Sequence, residues 1–171
     1  MDFWDVIRGR ESIRDYDPLR PVDRAVLERI LDAGRIAPSA ANRQPWRFLL
    51  VSSRETLAKV RKCYAKPWFN DAPHVLVVAG RPSDAWTRQD GYNSIETDLA
   101  IAMDHVILAA EREGVGACWI AAFDLAILRA ALGLAPDEHV YAITPFGFPR
   151  AGFAKKGQKE RKSLGELVRY L

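Results

Sequence analysis

Sulfur, histidine and long apolar runs are all scarce in this chain. Its 171 residues include two cysteines, two methionines and three histidines. Cys63 and Cys118 lie far apart and keep no metal-ligand spacing with each other or with His74, His105 and His139. Neither a zinc site nor a disulfide framework is indicated. No stretch approaches the ~20 consecutive apolar residues of a membrane span. The opening MDFWDVIRGR has an acid at position 2 and no apolar leader core. A reducing, cytoplasmic setting without membrane contact is the expectation. No serine or cysteine nucleophile motif accompanies the histidines, so all three read as structural.

What is present is ordinary for a globular protein. The 49% hydrophobic and 27% charged fractions argue against disorder, and the length suits a single domain spanning residues 1–171. A net charge of +3 and an isoelectric point near 9.0 suit an anionic partner. Acidic residues are interspersed throughout, unlike the dense basic face of a nucleic-acid binder, so a small phosphorylated ligand fits better and no nucleic acid is expected.

Apolar periodicity predicts helices over 3–8, 23–36, 54–64, 94–113 and 124–132. Ser52 and Glu55 have capping-box spacing, as do Ser163 and Glu166, which predicts a short terminal helix. The 94–113 segment is apolar around much of its circumference and so is expected to be buried, ending at Gly114. Short apolar runs at 46–52, 74–80, 116–121 and 140–147 predict strands buried on both faces, hence a sheet between layers of helices. Residues 148–162, rich in Gly, Pro and Lys, are expected to form an exposed arm.

Four stretches carry candidate chemistry. In RGRESIRDYDP, residues 8–18, an extended backbone would project Arg10, Ser12 and Arg14 to one side as a receptor for a phosphate dianion. The alternative is a solvated turn in which the arginines pair with Glu11, Asp15 and Asp17. In APSAANRQPWRF, residues 37–48, two prolines bracket a rigid loop offering Ser39, Asn42 and Gln44, or simply end a helix and start a strand. GVGACWIAAF, residues 114–123, has part of a glycine-rich pattern, but it precedes a strand where a dinucleotide fingerprint follows one. KKGQKERK, residues 155–162, reads as a solvated basic surface, with nucleic-acid or membrane contact as the lesser alternative.

These motifs, with APHVLVV at 72–78, DLAIAMDHVILAAEREGVGACWIAAF at 98–123 and RKSLGELV at 161–168, resemble the FMN-dependent nitroreductase family over nearly the whole chain. The resemblance implies an α+β fold, with a mostly antiparallel or mixed central sheet flanked by helices, in an intertwined homodimer. It implies FMN as cofactor, NADH or NADPH as donor, and a nitroaromatic, quinone or similar small-molecule acceptor reduced by a ping-pong mechanism. By motif position Arg10 and Ser12 match phosphate and ribityl ligands, Arg14 a cation near the flavin pyrimidine edge, and Arg161 with Lys159 further phosphate contacts. Pro38, Ser39, Ala40, Asn42 and Gln44 match a loop that reaches the flavin held mainly by the other subunit. Ala121 and Ala122 match a strand end that offers main-chain amides, with the Ala121 N–H near flavin N5. The resemblance therefore implies no catalytic side chain. Glu11 is a departure, placing negative charge among the phosphate ligands, and the link between 80 and 94 is short. A flavin-consuming or dehalogenating enzyme of the same fold, or a non-catalytic FMN-binding module, are the alternatives.

Overall fold

The computed structural model describes residues 1–157 and 159–171. Its centre is a four-stranded antiparallel sheet in the order β1-β2-β4-β3, built from β1 (Trp46–Val51), β2 (His74–Gly80), β3 (Gly116–Ala117) and β4 (His139–Gly147). All seven residues of β2 are buried, and their alternation divides the core. Leu76 and Val78 join one apolar cluster, while Val75, Val77 and Ala79 join another. The first face is covered by α2 (Arg24–Arg35) and α5 (Ile95–Arg112), the second by α3 (Arg54–Val60) and α6 (Leu125–Leu132). The register slips between Val78 and Ala79, so that Ala142 and Val140 face opposite partners across a bulge at Tyr141. Helices α1 (Phe3–Gly9), α4 (Pro67–Asp71) and α7 (Leu164–Leu167) complete the fold.

Helix α5 is set close against α2 by one glycine. A Cβ on Gly34 would lie 2.5 Å from Val106 Cγ2 and 2.8 Å from Phe48 Cζ, so no larger residue fits without pushing the helices apart. Beyond β3 the chain of residues 12–13 adds to the sheet edge. Ser12 forms a parallel bridge with Ala117, and the Ile13 N–H donates to the Ala117 carbonyl at 2.9 Å.

Three local expectations change. The segment 116–121 pairs as a strand only at Gly116 and Ala117, with an isolated bridge from Ile120 to Ile143. Ser53, not Ser52, caps α3 by accepting from the Thr56 N–H at 3.2 Å. The α4 turn was not foreseen, because five residues are too few to show a helical period. The Ser163 and Glu166 capping box forms as its spacing implies. Among the described residues no helix is long and apolar enough to cross a membrane.

Ser52 is instead committed to His74. The buried imidazole accepts from the Val22 N–H at Nε2 (3.1 Å) and lies 2.8 Å from Ser52 Oγ at Nδ1, which requires a neutral ring with its proton on Nδ1. Burial pushes His74 below its ordinary value of 6.5. The unfolded state therefore binds more protons between the folded and unfolded values, so this stability is fully present above pH 6.5 and declines as pH falls through the depressed folded value. We predict that His74→Gln costs about 1–3 kcal/mol in urea unfolding at pH 7.5. The gap from wild type should narrow at pH 5.5; a gap independent of pH would contradict the neutral-ring assignment.

Candidate functional site

The segment 10–14 leaves α1 in extended form, with Arg10 as the C-cap. Ile13 turns inward to pack with Tyr16 and Ala72, while Arg10, Ser12 and Arg14 face outward together. They line a cleft of about 800 Å3 whose opposite wall is the C-terminal arm, including Phe153, Lys156, Lys159 and Arg161. The five cofactor candidates Arg10, Ser12, Arg14, Lys159 and Arg161 are thus brought together from opposite ends of the chain. A volume of this order is typical of small-molecule sites.

The acids that might have neutralised the arginines are engaged elsewhere. Asp15 binds Arg150 Nε at 3.0 Å, and Arg150 also reaches Asp71 at 3.0 Å. Asp17 accepts from the Leu19 N–H. Glu11 accepts from the N–H groups of Lys156 (3.0 Å) and Gly157 (2.8 Å), bonds that hold its carboxyl below the usual range. Among the described residues none of Arg10, Arg14 or Arg161 has a carboxylate partner within 4 Å. Lys159, donating to the Ile7 carbonyl at 2.5 Å, is pushed below its ordinary value by burial and then by the positive charges of Arg10 and Arg161. Glu11 and Glu160 also line the cleft, but among the described residues neither forms an ion pair with its cations, so the guanidinium groups stay available to an anion. Arg8 faces away, stacked 5.6 Å from the Trp4 ring.

The Pro38–Gln44 loop lies elsewhere. Ala41, Asn42 and Gln44 have φ of 51°, 53° and 50°, a left-handed conformation unfavourable for residues with a Cβ. The loop is held there by the Ala40 N–H donating to Asp98 Oδ1 (2.9 Å) and by the Gln44 N–H donating to Ser39 Oγ (2.9 Å). Gly80 gives it room, since a Cβ there would sit 2.3 Å from the Pro45 carbonyl oxygen. Asp98 is on the first turn of α5 and is buried, also accepting from Ser94 Oγ at 2.7 Å. The arm meets α5 at its other end, where Lys155 bonds both Glu111 and the Gly9 carbonyl. Thirteen residues separate Asp98 from Glu111, or about 20 Å at the helical rise of ~1.5 Å per residue. One chain therefore does not bring Pro38, Ser39, Ala40, Asn42 or Gln44 to the basic cleft. Ala121 and Ala122 do not line it either; they lie exposed just past the Ile120 bridge.

Side-chain nucleophiles are unpromising. Cys63 is buried and its thiol is pushed up to about 11 by desolvation, the opposite of activation. Cys118 is also buried, and His74 is fully hydrogen-bonded. A second cleft of about 550 Å3 runs along the edge strand β1, but its arginine, Arg47, is paired with Glu138. Residues not singled out from the sequence are Phe153 and Lys156 in the cleft wall and Asp98 behind the loop. Lys156 carried the signal of its basic run and Asp98 that of an acid in the first turn of a helix; Phe153 carried none.

The Nitroreductase family model matches residues 7–65 and 55–148. A candidate NADH dehydrogenase/NAD(P)H nitroreductase of Archaeoglobus fulgidus is 30% identical over 150 residues, covering 85% of this chain and 84% of the relative. A nitroreductase family protein of Clostridium difficile superposes with a TM-score of 0.90 at 31% identity, covering 99% and 98% of the two chains. A candidate nitroreductase of Desulfovibrio desulfuricans in complex with FMN gives a TM-score of 0.80 at 27% identity, covering 98% and 95%.

Asp98 is the anchor on which the strained loop depends. We predict that Asp98→Ala costs about 1–3 kcal/mol, with the Ala40 amide exchanging hydrogen at least tenfold faster, because a buried acceptor is lost. Asp98→Asn, which keeps an acceptor oxygen, should lose far less. Unchanged Ala40 exchange in the alanine variant would contradict the assignment.

Proposed function

The chain belongs to the nitroreductase family, and from that membership we propose that it is an FMN-dependent oxidoreductase. It takes hydride from NADH or NADPH and reduces a nitroaromatic, quinone or similar acceptor. The observation that carries the reading is the convergence of Arg10, Ser12, Arg14, Lys159 and Arg161, without a paired carboxylate, on one cleft. The donor set fits the cofactor: forked guanidinium groups and a hydroxyl bind a phosphate dianion and a polyol chain.

When bound, FMN supplies the two-electron chemistry that no side chain of the cleft offers. The residues position and polarise. Arg10, Lys159 and Arg161 hold the phosphate, and Ser12 the adjoining ribityl hydroxyls. Arg14 would offer its guanidinium to the pyrimidine edge, where reduction places negative charge, and so favour the reduced state. The Ala121 and Ala122 main chain presents N–H donors without adding acid or base. Because one cleft serves both donor and acceptor, the two must occupy it in turn, which gives ping-pong kinetics.

The loop Pro38–Gln44 contributes from a second copy in this reading, giving a homodimer with shared sites. The ~20 Å between the loop and the cleft along α5 supports it. The exposed Phe3 and Trp4 rings, 5.5 Å apart, are apolar surface that a second copy would cover.

Purified protein should be yellow, bleach anaerobically with NADH or NADPH, and recolour on adding a nitroaromatic or a quinone. Arg10→Ala and Arg161→Ala should each weaken FMN binding by about tenfold or more, the scale of a lost charge-assisted hydrogen bond. Bound flavin that neither nicotinamide bleaches would contradict the enzymatic reading. Unchanged FMN affinity in both variants would contradict the phosphate site.

A further inference from the structure

Glu11 lies among the cations of the cleft, where a carboxylate should repel an anionic ligand. Its two oxygens are nevertheless used in another way. Oε2 accepts from the Lys156 N–H and Oε1 from the Gly157 N–H, consecutive amides on the arm that carries Lys159 and Arg161. The same arm is tied down at Lys155, whose ammonium bonds Glu111 and the Gly9 carbonyl, and at Lys159, which donates to the Ile7 carbonyl. Ile7 and Gly9 belong to the end of α1, whose free carbonyls attract cations. Phe153, packed beside Ile13 and Tyr16, fixes the start of the arm.

We infer that Glu11 is a positioning residue: its carboxylate clasps the main chain of the C-terminal arm, and so holds Lys159 and Arg161 against Arg10 and Ser12 to complete the anion site. The inference rests on the FMN reading of the cleft. Without the clasp the Lys156 and Gly157 amides lose their acceptors and only the side-chain ties of Lys155 and Lys159 hold the arm, so more of its ordering must accompany each binding event. The negative charge of Glu11 is spread over two N–H dipoles, and Lys155 and Lys159 lie near enough to offset it further.

The sign of one substitution decides the matter. Coulomb repulsion alone predicts that Glu11→Gln tightens FMN binding, because a charge is removed at constant shape. The clasp predicts the reverse, since Gln presents an NH2 to one of two N–H donors. We expect Glu11→Gln to weaken FMN about tenfold, and Glu11→Ala more. Riboflavin, which lacks the phosphate, should bind wild type and both variants equally. Glu11→Gln added to a chain already carrying Lys159→Ala and Arg161→Ala should cost little further FMN affinity, because the clasp acts through those two cations. Trypsin should cut ligand-free Glu11→Gln within 155–161 several-fold faster than ligand-free wild type. Tighter or unchanged FMN binding, an equal loss for riboflavin, or unaltered cleavage would each overturn the clasp. Faster cleavage in a protein that takes up no FMN at all would instead leave the clasp standing and remove the functional reading.

Discussion

Asp98 and Glu111 are carboxylates on one helix, and both are buried, a placement that is costly unless each is hydrogen-bonded or paired. Asp98 meets that requirement at the N-terminal end of α5 with Ser94 and the Ala40 amide, where the helix dipole also favours it. Glu111 is in the last turn, where the dipole disfavours an acid, and takes Lys155 as its partner. The two acids therefore recruit the two segments that carry the candidate ligands, the strained loop at one end and the basic arm at the other. Helix α5 cannot shift to bring them together. Leu99, Ala102, Met103, Val106 and Ala110 are buried along it, and Gly34 closes the gap to α2. A close-packed interior of this kind resists sliding.

In the proposed dimer, each chain would contribute half of a site at either end of a rigid spacer. The loop has three residues with a Cβ in left-handed backbone within four positions, unfavourable by roughly 1–2 kcal/mol at Ala41 and at Gln44 and by less at Asn42, whose side chain suits that conformation. It keeps that conformation while exposed at its tip, so no burial of its own offsets the strain. Strain of this sort collects where a surface must be held ready for a partner. The basic cleft is the complementary case: three guanidinium groups remain without a carboxylate partner there, as the acids nearest them in sequence, Asp15, Asp17 and Glu11, are bound to other groups.

The helices and strands were legible because apolar periodicity is a local property, and the continuous apolar run of β2 announced burial on both sides, whereas β1, equally apolar, is an edge strand with only Val51 buried. The grouping of Arg10, Ser12 and Arg14 was legible for the same reason, since a period of two along an extended segment is fixed by backbone geometry. Which acids would meet those arginines was not. Asp15 could pair with Arg14 next door or Arg150 far along the chain, and only the tertiary path selects Arg150. Glu11 was legible only as an unwelcome charge, because its partners are main-chain amides and leave no trace in residue type. In the left-handed turn, Asn42 is a residue type that marks such a conformation, whereas Ala41 and Gln44 carry no sign of it. Ser52 and Ser53 show the limit at short range: both offer a hydroxyl, and the draw of the His74 ring decides which one caps α3.

The central claim is that the loop of one chain and the cleft of another make one site. Co-expression of two inactive halves tests it directly, pairing an Arg10→Ala chain with a chain carrying Ser39→Ala and Asn42→Ala, each with its own affinity tag. Dimers of either parent should retain FMN poorly at both sites. The mixed dimer should combine both lesions in one site and leave the other wholly wild type, so it should bind one FMN per two chains with wild-type affinity. A mixed dimer that retains FMN no better than its parents would contradict the shared site.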